Sequence, residues 1–66
     1  MQYNWIDENG SVISCIEKNK ILNENMQEIL QNIKDASEDA VLMGVLKENF
    51  VQNLQKIINE CYNLKT

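Results

Sequence analysis

Few side chains in this chain can do chemistry. They are two thiols, Cys15 and Cys61, and a group of carboxylates, Asp35, Glu38 and Asp39, with Glu24 and Glu28 upstream of them. An ionised thiol can act as a nucleophile or ligate a metal, and grouped carboxylates can hold a divalent cation. Neither set has the company that such chemistry needs. The 66 residues contain no His and, with six Lys accounting for every basic residue, no Arg. The first absence removes the side chain best suited to acid–base work near neutral pH, together with zinc sites that mix Cys and His and di-iron sites built on Glu-x-x-His. The second removes bidentate clamping of phosphate or carboxylate. Asp7-Glu8-Asn9-Gly10 has the composition of a calcium loop, but setting Gly10 at the invariant sixth position puts Trp5 where the first ligand belongs, and the match fails. Neither Gly10 nor Gly44 belongs to a phosphate-binding loop. The expectation is a chain that is not an enzyme, takes no cofactor and binds no metal. Its carboxylates then form an ordinary solvated face.

The element carrying most of these groups is the strongest signal in the sequence. Leu22, Met26, Ile29, Ile33, Ala36, Ala40 and Met43 follow one another at alternating spacings of four and three. That spacing keeps apolar residues on one side of a helix that lies along another helix. The seam extends back through Asn19 to Cys15. Ser14-Cys15-Ile16-Glu17 has the form of a capping box, in which Ser14 and Glu17 satisfy each other's backbone N–H, so helix 1 is expected over 15–43. Gly44 supplies the left-handed residue that ends it. A second seam, Phe50, Leu54, Ile57, Cys61 and Leu64, flanked by Val51, Ile58 and Tyr62, predicts helix 2 over 47–64. The short link requires the two helices to fold back antiparallel. That pairing sets Cys61 near Ile29 and leaves Cys15 fourteen residues further on, about 21 Å along the axis and beyond disulfide reach.

Residues 1–13 form an N-terminal arm. Asn9-Gly10 suits a two-residue type I′ turn, which would pair Asp7 with Val12 and Ile6 with Ile13. The turn reading of Asn9-Gly10-Ser11 outweighs its match to a glycosylation sequon, because no secretory leader is recognisable in Met1–Trp5. With no apolar run long enough to cross a bilayer and a net charge of −4, the expected protein is cytoplasmic and binds neither membrane nor nucleic acid.

The predicted fold is all-α: a single domain over 1–66, an antiparallel helical hairpin with a short arm or β-hairpin, dimerising into a four-helix bundle. Two observations point to a homodimer. The first turns of helix 1, with Ile16, Leu22 and Met26, outrun helix 2, and Val41, Leu42, Val45 and Leu46 surround the turn on more sides than one hairpin can cover. These seven residues are the predicted interface. The expected function is a helical protein–protein interaction module that self-associates. The alternative is a small acidic regulator, of the antitoxin, anti-activator or assembly-factor kind, docking on a different protein.

The runs Cys15–Asn25 and Glu38–Val45 resemble a group of short uncharacterised bacterial helical proteins, over most of residues 14–60. That resemblance implies no activity. In outline the chain is also similar to the small helical-hairpin phosphatases that act on sporulation response regulators, but their Ser-Gln-Glu-Leu-Asp motif is missing, which excludes that assignment.

Overall fold

A computed structural model describes residues 3–62. It contains two helices, α1 (Ile16–Leu42) and α2 (Lys47–Tyr62), and among the described residues no strand, only one isolated antiparallel bridge between Ile6 and Val12. The all-α, hairpin-like architecture stands. The chain divides into two compact units, Met1–Asn32 and Ile33–Thr66.

In the first unit, residues 3–13 fold onto the start of α1. The Trp5 indole N–H donates to Asn23 Oδ1 at 2.7 Å, and Asn19 Nδ2 donates to the carbonyls of Ile13 (2.8 Å) and Cys15 (2.9 Å). Asn19 and Asn23 lie one turn apart on the same face, so two amide side chains fasten the incoming chain to the helix. The loop inside residues 3–13 differs from expectation. Gly10 N donates to Asp7 O, Asp7 N to Ser11 O and Ile13 N to Trp5 O. The loop therefore holds three residues, Glu8, Asn9 and Gly10, with Gly10 at φ 85°. This is the turn followed by a left-handed residue that closes three-residue hairpins, not the two-residue type I′ turn. The cause is Asp7: its Oδ1 accepts from the N–H of Asn9 and of Ser11, both at 2.9 Å, and holds the wider loop closed. The pairing thereby shifts by one residue, and Ile6 meets Val12 instead of Ile13.

The start of α1 is also one residue later than expected. Asn19 N donates to Cys15 O, the first helical bond, so Cys15 rather than Ser14 is the cap residue. The Asn19 amide already holds the carbonyls on either side of Ser14, which fixes the entry of the chain with Ser14 outside the helix.

The second unit carries the end of α1, the turn and α2. Val45 N bonds to Ala40 O (2.9 Å) and Gly44 N to Val41 O (3.0 Å), with Gly44 at φ 80°. This pair of bonds is the Schellman motif, ending the helix at the glycine the sequence marks. Phe50 N to Leu46 O opens α2, so Leu46 occupies its cap position, where no side-chain oxygen is available. Ile33, Lys34, Ser37 and Glu38 face Lys47, Phe50, Val51 and Leu54 across one groove, and the falling numbers against rising ones make the two segments antiparallel. The expected end of α2 at residue 64 lies outside the described residues.

The covered face of α1 is not quite the predicted seam. Its half-buried residues are Asn19, Leu22, Asn23, Met26 and Leu30 in the first unit, and Ile33, Ser37 and Ala40 in the second. Ile29 is 48% exposed, Met43 80%, and Ala36 is exposed. Leu22, Ile29, Ala36 and Met43 are spaced by seven, and a straight helix drifts about 20° per seven residues. That ladder slides off the covered face, and Leu30 and Ser37 take its place.

Candidate interaction surface

No described residue of this chain is buried. In the second unit the inter-helix contact is a single row, with Ile33, Ser37 and Ala40 half-buried on α1 and Phe50 and Leu54 on α2. Everything apolar beside that row faces outward.

The predicted interface residues fall into two groups. Leu22 and Met26 are half-buried within the first unit, while Ile16 stays exposed at its edge. Around the turn, Val41, Leu42 and Leu46 are 68%, 85% and 67% exposed, and Val45 is the least open of the four. Val41 and Leu42 line a shallow depression with Ser37 and Glu38. Ser37 and Glu38 also line the neighbouring groove between α1 and α2, whose volume is about 400 Å³. The apolar surface of the turn is thus continuous with the groove floor of Ile33, Phe50, Val51 and Leu54.

Sequence reasoning treated Val51, Ile58 and Tyr62 only as flanks of a covered seam. They remain open, with Val51 at the groove edge and Ile58 and Tyr62 further along α2. Their spacing was the available signal: an apolar stripe wider than one partner helix can cover implies a second partner. Ile6 and Val12 were expected to lie over helix 1 with Trp5 and Ile13. Paired with each other, they face solvent instead, because a one-residue change of register turns side chains to the opposite face.

The groups able to do chemistry are dispersed. Among the described residues no three His, Cys, Asp or Glu side chains gather as a metal site would require. Both thiols are free and exposed. The Cys15 thiol titrates below its ordinary value. A hydrogen bond from the backbone N–H of Lys18 is the main cause, partly offset by slight desolvation and reinforced by the Glu17 N–H and the Lys18 charge. Such N–H groups at a helix start carry no intrahelical partner and stabilise a thiolate. No described helix is long and apolar enough to cross a membrane. No protein-family model, curated protein or solved structure matches the chain.

Proposed function

We propose that this protein is a non-enzymatic helical interaction module whose first partner is a second copy of itself, and that the second unit supplies the contact. The supporting observation is an excess of exposed apolar surface. The chain exposes 6176 Å², whereas a compact chain of this length exposes about 4,300 Å². A difference of about 1,900 Å² per chain is of the size that obligate homodimers remove, since their interfaces bury about 2,000–5,000 Å² over both partners. Val41, Leu42, Val45 and Leu46 form the centre of the patch, and two hairpins meeting there would build a four-helix bundle. A two-fold arrangement suits a contact formed by the same patch on each copy.

Sedimentation across a wide concentration range tests this reading. A dimer that persists to low micromolar concentration supports it. A folded monomer at every concentration overturns it and leaves the same apolar surface to a different protein.

A further inference from the structure

The self-association proposed above leaves open which helix meets which. The stripe Val51, Gln55, Ile58 and Tyr62 narrows it. These residues follow one another at spacings of four, three and four and so share one side of α2, turned about 90° from the Phe50–Leu54 line that faces α1. All four are exposed, Val51 by 50%, Ile58 by 45% and Tyr62 by 76%.

Three features of the stripe fit a second copy. It is almost free of charge: between Glu48 and Tyr62 the only carboxylate is Glu60, which with Lys56 falls on the far side of the helix. A chain with net charge −4 repels its own copies, so a contact between copies belongs on a face without carboxylates. The stripe also reads similarly in both directions from its middle, with a β-branched residue, an amide and a β-branched residue. An amide both donates and accepts, so Gln55 can pair with the same residue across a two-fold axis. Finally, Val51 borders the groove of about 400 Å³ whose lining runs on through Ser37 and Glu38 to Val41 and Leu42, so a helix laid along the stripe extends the turn patch.

We infer that α2 packs antiparallel against α2 of a second copy, with the two-fold axis passing beside Gln55. Val51 of each copy then meets Ile58 of the other, and Tyr62 lies over the aliphatic stem of the other copy's Lys47. The axis position follows from the spacing alone, since the midpoint of residues 51 and 58 lies within a single helical rise of Gln55.

Cysteine cross-linking of the full chain tests the geometry. In a Cys15→Ser/Cys61→Ser background, Gln55→Cys places a thiol beside the axis, and Asn53→Cys places one on the opposite side of α2. A residue beside a two-fold axis between packed helices comes within disulfide distance of its own copy. Mild oxidation is expected to convert Gln55→Cys to a linked dimer at least ten times faster than Asn53→Cys, with the parent background dimeric by sedimentation. Equal rates, or faster linking at residue 53, in a chain that is still dimeric would overturn the α2 contact while leaving self-association intact. A monomeric background would overturn both.

Discussion

The two units solve the same problem in opposite ways. Each contains part of α1 with an apolar side to cover and too few residues to cover it. The first unit covers its side with its own chain and fastens that cover by polar bonds, Trp5 to Asn23 and Asn19 to Ile13 and Cys15. The second unit shows no such tie between its two helices: its printed bonds lie in the turn or, like Asn53 Nδ2 to Asn49 O, within one helix. Hydrogen bonds are directional and satisfied by a few groups, so they define one arrangement and complete it. Apolar contact has no direction and grows with area, so a single row of it leaves a surface on which more burial is always favourable. The first unit is closed in this sense and the second is open.

Charging the open unit should have the largest effect. Leu42→Lys alters a side chain that is 85% exposed in the single chain, where the change should cost almost nothing. If a second copy covers it, each chain loses about 1.5–3 kcal/mol of burial, and the dimer loses twice that. The expected result is at least a 100-fold rise in the dissociation midpoint by sedimentation, whether the separated chain stays folded or not. Ile6→Lys makes the same change at a residue 61% exposed in the closed unit and should move the midpoint by less than about threefold. Equal effects from the two substitutions would erase the distinction between the units, and an unchanged dimer for Leu42→Lys would remove the turn from the interface.

That contrast was only half legible in the sequence. The open unit could be read because its elements depend on local rules: Gly44 ends α1, α2 begins at Lys47, and the crowding of Val41, Leu42, Val45 and Leu46 around a short turn is plain from spacing. The closed unit depends on side-chain bonds whose partners are far apart in sequence. Nothing local to Trp5 announces Asn23, and Asn19, which reads as a polar interruption of a seam, turns out to hold two carbonyls. The Asp7 carboxylate widened the loop by one residue and thereby decided which side of the hairpin Ile6 and Val12 occupy. Along α1, a strict repeat of seven identified Ile29 and Met43 as covered, and the drift of a real helix against that repeat uncovered them.

A smaller, local effect is expected from opening the closed unit. Trp5→Phe keeps the aromatic ring and removes the N–H that Asn23 Oδ1 accepts. An unmet half-buried acceptor costs about 1 kcal/mol, or about fivefold in the local opening equilibrium. Hydrogen exchange should show that loss of protection at the N–H groups of Asp7 and Ile13, which bond within the hairpin. The amides of α2 should keep their rates. A matching loss of protection in α2 would mean that the units open together and that the division between them has no energetic content.

The smallest effect concerns how each unit starts its helix. α2 begins at Leu46, whose side chain offers the free N–H groups nothing, whereas α1 begins at Cys15, whose sulfur accepts the Lys18 N–H. Folding lowers the Cys15 titration, so the thiolate is favoured in the folded chain over the unfolded one. The sign for stability follows: the contribution is present above the thiol's unfolded value and disappears as pH falls through the lower folded one. In a Cys61→Ser variant, alkylation by iodoacetamide should reach half its plateau rate at a lower pH in buffer than in urea. Below both midpoints the folded thiol should react faster, because a larger fraction is ionised. Above both the order should close or reverse, because a less basic thiolate is a weaker nucleophile. Coincident midpoints in the two states would mean that the sulfur does not cap α1, and the two helix starts would then be equally bare.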